Sequence, residues 1–174
     1  IDYLNKDWDS YQDCVSFRTE TWESVSNVLK PGGHLLIFGA SRTFHRLVTA
    51  VEDSSLKIKD QLMWLYGQGM PKSHNIGKKL PEWEGWGTAL KPAHEPIVLA
   101  RKPLSENSIV ANVLKHRTGG IHIDGCRIEG EKQTRNSNPV MNGGKYAQNE
   151  NADREETTPD TKGRFPANVM HNGL

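Results

Sequence analysis

An α/β sheet is the fold class this sequence predicts, and three observations carry it. Apolar runs of strand length stand at 34–38, 56–66 and 95–101. The segment between the first two repeats its apolar residues at helical spacing, and Pro31-Gly32-Gly33 cuts an amphipathic stretch from the run that follows. Strand, helix, strand is the alternating grammar of helices packed on a sheet.

The first element is a helix over Thr19–Leu29, where Trp22, Val25 and Leu29 share one face. Glu20 and Glu23 near its start and Lys30 at its end suit the helix dipole, and Pro31, Gly32 and Gly33 stop it. His34 to Phe38 then reads as a buried strand. Ser41 is the expected N-cap of a helix over Thr43–Ser54, whose Phe44, Leu47, Val48 and Val51 form its apolar stripe. Residues 56–66 return as a strand, with Leu56 and Ile58 alternating against Lys57 and Lys59 before the run turns apolar at Leu62 to Leu65. Pro71 to Pro92 carries loop chemistry, with one short helical stretch around Ile76 to Leu80. Glu95 to Arg101 is the third strand, with Pro96 at its start, where a missing N–H is tolerated. Beyond Pro103 the composition shifts. A short amphipathic helix is expected over Ser108–Leu114 and a short strand at Ile121–Ile123. A tract dominated by Asn, Gly, Glu and Thr follows through Lys162, mobile or ordered only by a partner.

Composition narrows the function classes. A chain of 174 residues can bury one ordinary core. Its net charge of +1 gives no global pull toward nucleic acid, so any such contact must come from local basic clusters. Cys14 and Cys126 form no C-x-x-C pair, which argues against a zinc ribbon or a disulfide scaffold and fits a reducing cytoplasm. His116, His122, Cys126 and His171 match no standard zinc spacing, so no metal is expected. No apolar run approaches the roughly 20 residues that cross a bilayer. Gly67-x-Gly69 lacks the remaining glycine of a dinucleotide fingerprint.

The segment 83–99 is the most informative. Trp83 and Trp86 stand among Pro81, Gly85 and Gly87, outside any periodic run, and the chain then enters the third strand. An aromatic loop feeding a buried strand suits a pocket for a flat ligand, since a base stacked on indole gains roughly 1–3 kcal/mol. The alternative is that both rings plug the end of a core.

Trp-Glu-Gly-Trp at 83–86, Leu29-Lys30-Pro31-Gly32-Gly33-His34, Tyr66-Gly67-Gln68-Gly69-Met70-Pro71, Gly119 to Ile128 and Gly163 to Val169 together resemble, in order, the phage-type family of DNA amino methyltransferases. The resemblance implies a partial Rossmann-like sheet of an S-adenosylmethionine-dependent methyltransferase, with a polar, loop-rich C-terminal extension. Its two helices pack on the three strands, and the last two strands pair antiparallel. It implies residues 1–102 as part of the catalytic domain and 103–174 as the start of a target-recognition region. DNA is the implied partner, S-adenosylmethionine the cofactor, and the cytoplasm of a bacterial or phage-infected cell the location. The methylated atom is adenine N6 ahead of cytosine N4, because adenine members are commoner.

Base methylation requires a flipped base held by stacking and edge hydrogen bonds. Trp86, with Trp83 second, is the expected target-base wall. Gly39, Ser41, Gly67 and Gly69 lie in loops at the carboxyl ends of strands, where α/β sheets place ligands. Lys115, His116, Arg117 and Arg127 flank Gly119-Gly120 and are the expected DNA-phosphate contacts. The family's Asp-Pro-Pro-Tyr catalytic motif and its Phe-x-Gly-x-Gly cofactor motif do not occur in these residues. The chain is therefore expected to be an internal piece, inactive alone, with the first motif upstream of Ile1 and the main cofactor motif downstream. The competing reading is a non-catalytic DNA-binding remnant of a prophage methylase.

Overall fold

The computed structural model describes residues 14–128 and 163–171. Residues 129–162 of the polar tract expected through Lys162 therefore fall outside the described residues. Two compact units divide the chain, Ile1–Gly120 with Ala167–Leu174, and Ile121–Pro166.

The larger unit is α/β. Helix α1 (Thr19–Val28) leads to strand β1 (His34–Phe38), helix α2 (Phe44–Glu52), strand β2 (Lys57–Leu65), strand β3 (His94–Arg101), helix α3 (Ile109–His116) and strand β4 (Val169–His171). The strands form one sheet in the order β1-β3-β2-β4. β3 is antiparallel to both neighbours, and β4 joins β2 in parallel, so β1, β2 and β4 all end at the same side of the sheet. The antiparallel pairing of β2 with β3 is the one expected.

Helices α1 and α2 cover one face. Trp22, Leu47, Ala50, Val51, Leu56, Val98 and Ala100 are its buried centre, with Leu35, Ile37 and Phe44 packed around them. These are the residues the helical and strand periodicities point inward. Trp22 also donates its indole N–H to the Ser16 carbonyl at 2.9 Å, so the large ring is buried with its polar atom satisfied. On the other face Leu36 stands opposite Leu99, and Phe38 opposite Ile97, which also faces Leu62. Leu36 and Phe38 are exposed there, and among the described residues no helix covers them.

Two devices at the amino end of β1 fix how α1, β3 and α3 meet. Lys102, just past β3, donates to the carbonyls of Ser26 and Leu29 at 2.7 and 2.9 Å, a cation at the negative end of α1's dipole. Asn112 of α3 is fully buried and bonds three loops. Its Nδ2 donates to Pro31 and Thr118 carbonyls at 3.0 and 2.9 Å, and its Oδ1 accepts the Ser105 N–H at 3.2 Å. Gly32 has a φ of +78°, and a Cβ there would lie 2.5 Å from Asn112 Nδ2. The Lys-Pro-Gly-Gly turn is thus both a helix stop and a seat for α3.

Several expectations are corrected in detail. α2 is capped at Thr43, not Ser41, and without a side-chain bond, because Ser41 lies in the preceding turn. The helical stretch near Ile76 is a single 3-10 turn, Ile76–Lys78. Ser108 caps α3 through a 3.1 Å bond from Ala111 N–H, and the helix runs two residues further than expected, to His116.

In the smaller unit, Ile121–Ile123 is not a strand. Ile123 takes helical angles and leads into the 3-10 turn Asp124–Cys126, as the turn-forming Asp-Gly pair favours. Ile128 and Arg164 pair as an isolated antiparallel bridge.

Candidate nucleic-acid interface

The connection from β2 to β3 leaves the sheet at the carboxyl ends of β1, β2 and β4. Its base is closed by the Tyr66 N–H donating to the Ala93 carbonyl at 2.8 Å. The Tyr66 hydroxyl donates to the Glu95 carboxylate, and that bond, chiefly, holds the phenol above the usual tyrosine range.

Polar side chains, rather than an apolar core, build the loop itself. Ser73 Oγ accepts the N–H groups of Thr88 and Ala89 at 3.0 and 3.3 Å, and Thr88 Oγ1 accepts the His74 N–H at 3.0 Å. Asn75 pairs with Gly87 as an isolated bridge and caps the 3-10 turn through the Gly77 N–H at 2.9 Å. The Ile76 N–H donates to the Trp86 carbonyl at 3.0 Å. Close approach explains three glycines. A Cβ on Gly69 would fall 1.9 Å from the Pro92 carbonyl oxygen, one on Gly77 2.2 Å from Glu84, and one on Gly87 2.3 Å from Ser73 Oγ.

This frame presents Trp83 and Trp86. Their ring centroids are 5.0 Å apart at an interplanar angle of 77°, an edge-to-face pair, and they are 42% and 60% exposed. Neither plugs the core. Gly39 lies at the same side of the sheet, its N–H donating to Pro96 at 2.9 Å and its α-carbon pressed against Leu47 and Phe44. Ser41 is exposed in the turn that follows, Gly67 is exposed at the end of β2, and Gly69 lies against Pro92. The structure thus gathers the aromatic and glycine candidates at one end of the sheet.

It does not bring Lys115, His116 and Arg117 there. α3 is clasped to the turn before β1, whereas the aromatic loop enters β3 at its first residue. β3 has eight residues, so roughly 20 Å of strand separates the two ends. At the α3 end Lys115 bonds the Glu106 carboxylate at 2.5 Å, and that bond, with one from Ser105, holds Glu106 below the usual carboxylate range. His116 Nε2 lies 2.7 Å from Ser105 Oγ. Arg117 ends the helix in the left-handed conformation, with φ of 60°. In the smaller unit Arg127 bonds Asp124 at 2.8 Å and the Gly163 carbonyl at 2.9 Å, with its guanidinium 5.9 Å from the Phe165 ring centre. Arg127 fastens two distant stretches of chain, a role its sequence neighbours do not reveal. No group of three or more His, Cys, Asp or Glu among the described residues is placed to hold a metal ion.

Lys78 and Lys79 were missed by the sequence reading. Both lie at the 3-10 turn beside Trp86's backbone partner, exposed, and neither ammonium group has a hydrogen-bond or ion-pair partner among the described residues. Their signal was a Lys-Lys pair inside a glycine-punctuated loop.

The larger unit thus carries a loop-borne indole pair over the carboxyl ends of a mixed α/β sheet. The DNA methylase family profile matches residues 2–170, nearly the whole chain, and the chain belongs to that family. It is similar to the Type II methyltransferase M.HindIII of Haemophilus influenzae, 31% identical over 120 residues that make up 63% of this chain and 38% of that protein. The chain thus spans well under half the length of that relative. Among solved structures it is similar to M1.HpyAVI, alone and as its SAM complex. Identity is 20% and the TM-score 0.36 in each case, over 49% of this chain and 38% or 39% of the other, which is too distant to carry an argument.

Proposed function

We propose that this chain is part of a site-specific DNA methyltransferase that moves a methyl group from S-adenosylmethionine to an exocyclic base nitrogen, adenine N6 ahead of cytosine N4. The observation that supports it most is the pair of exposed indoles on a rigid loop at the carboxyl ends of the strands, in a chain belonging to the DNA methylase family. An exocyclic amine is hidden in a duplex, so its base must leave the stack and be held on an aromatic surface. Trp86 offers that surface and Trp83 braces it edge-on. Gly67 and Gly39 keep the neighbouring strand ends low, so that a base can approach.

S-adenosylmethionine supplies an electrophilic methyl group. The described glycines do not cradle it, because the space at Gly39 and Gly69 is filled by Leu47, Phe44 and Pro92 of the chain itself. The reading assigns its binding, and acceptance of the amine's hydrogen bonds, to residues outside this chain. Lys115, His116 and Arg117 are proposed as outlying phosphate contacts at the far end of the sheet, with Arg117 the most available.

The test is transfer of a labelled methyl group to DNA by the full-length product that carries this chain. Incorporation at an exocyclic nitrogen is expected there and not with residues 1–174 alone. Salt-dependent DNA binding by that product with no transfer at all would replace this reading with a non-catalytic binding module.

A further inference from the structure

We propose that Lys78 and Lys79 are DNA-phosphate contacts that hold the backbone of the nucleotide presented to the Trp83–Trp86 pair, so that one loop supplies both the stacking surface and its electrostatic anchor. The proposal rests on the methyltransferase reading and assigns its phosphate binding to a place the sequence alone did not indicate.

Four observations converge. First, the loop is a preorganised frame. The bonds of Ser73, Thr88 and Asn75 to backbone, and the glycine contacts at residues 69, 77 and 87, tie the lysine turn and the indoles into one body. The Ile76-to-Trp86 backbone bond at 3.0 Å sets the lysines within a turn of the exposed ring. Second, the two ammonium groups are unpaired among the described residues, whereas Lys115 is neutralised by Glu106 and Arg127 by Asp124. A cation already bonded to a carboxylate must lose that partner before it can take a phosphate, and an unpaired one loses only water. Third, an open cleft of about 570 Å³ lies here, between Ser73, His74 and Asn75 on one side and Lys78 and Lys79 on the other. That size is within the range of about 300–1,000 Å³ used for small ligands, and its walls combine the apolar Ile76 and Leu80 with these polar side chains. Fourth, Pro71 to Pro92 carries four lysines against two glutamates, a local +2 in a chain of net +1. Local excess of this kind is what a nearly neutral protein needs to meet a polyanion.

The α3 cluster lies at the other end of β3, so it cannot anchor the same nucleotide. A phosphodiester beside Lys78 and Lys79 can be reached without moving the strands, because both side chains are at the surface.

The experiment measures duplex DNA binding by the full-length product against salt concentration, for the wild type, the Lys78→Gln/Lys79→Gln pair and the Lys78→Arg/Lys79→Arg pair. The expected result is a wild-type slope of log K on log salt that shrinks by about 0.9 per lost contact in the Gln pair and is retained in the Arg pair. Wild-type binding with an unchanged slope in the Gln pair overturns this proposal and leaves the methyltransferase reading standing. A slope lost in both pairs shows that the turn needs lysine for its own fold, and also overturns it. Absence of both DNA binding and methyl transfer in the wild type overturns the two readings together.

Discussion

Trp86 is exposed over most of its surface yet held by an edge-to-face contact with Trp83 and by backbone bonds on either side. Such an aromatic pair contributes about 0.5–1.5 kcal/mol beyond area burial. Trp86→Ala in the full-length product should therefore abolish methylation while changing folding stability by no more than about 1 kcal/mol, read by urea denaturation beside a methyl-transfer assay. A loss of several kcal/mol would mark the ring as a core plug. At the other end of the sheet, the Lys115 ammonium is held by Glu106. Glu106→Gln should free it and tighten DNA binding, with a steeper dependence on salt, whereas the Lys115→Ala/Arg117→Ala pair should weaken binding across sequences and flatten that dependence. If neither variant moves the slope, α3 is not part of the interface.

At the scale of elements, α3 is fastened by buried polar bonds rather than by a wide apolar face. Val110 and Leu114 are exposed, while Asn112 bonds the Pro31 turn, Ser105 and Thr118 together, and His116 adds a bond to Ser105. Asn112→Ala would strand several buried backbone groups and should cost roughly 2–4 kcal/mol in denaturant titration. A near-neutral result would mean that water replaces the amide. A polar residue in the apolar register of Ile109 and Val113 was the visible sign of this role, but its three partners lie up to 81 residues away. The β2–β3 loop shows the same logic in polar form. Its length, glycines and tryptophans were legible as a loop carrying exposed aromatic rings. The Ser73, Thr88 and Asn75 bonds that make it rigid were not, because each joins side chain to backbone across a turn whose path the sequence does not state.

For the molecule as a whole, His34 reports on the start of β1. Burial, then the nearby charges of Arg101 and Lys59, hold its imidazole below the usual histidine range. The unfolded chain therefore binds a proton more readily than the folded one. Stability from this group is complete above about pH 6.5 and is lost as pH falls through the lowered folded value. His34→Gln should make the decline in stability between pH 7 and 5 shallower in thermal melts at fixed ionic strength. A slope identical to the wild type would place the acid sensitivity elsewhere. Arg101 sharpens the effect, since its Nε is buried with no hydrogen-bond partner among the described residues and cannot shed its charge.

The sequence by itself determined the α/β class, the order of α1, β1, α2, β2 and β3 and which of their residues face the core, because periods of two and 3.6 residues and Pro-Gly stops are local properties. Motifs spread from Leu29 to Val169 also pointed to the DNA methylase family. Only the tertiary structure decided that β3 lies between β1 and β2, and that a three-residue β4 joins β2's outer edge. Three residues are too few for any period to register. It alone separated the aromatic loop from the α3 cations, paired Lys115 and Arg127 with carboxylates, and left the Lys78 and Lys79 ammonium groups in Trp86's loop without a partner among the described residues. Charge is written in the sequence, but whether a charge is free depends on which distant residue the fold sets within about 3 Å of it.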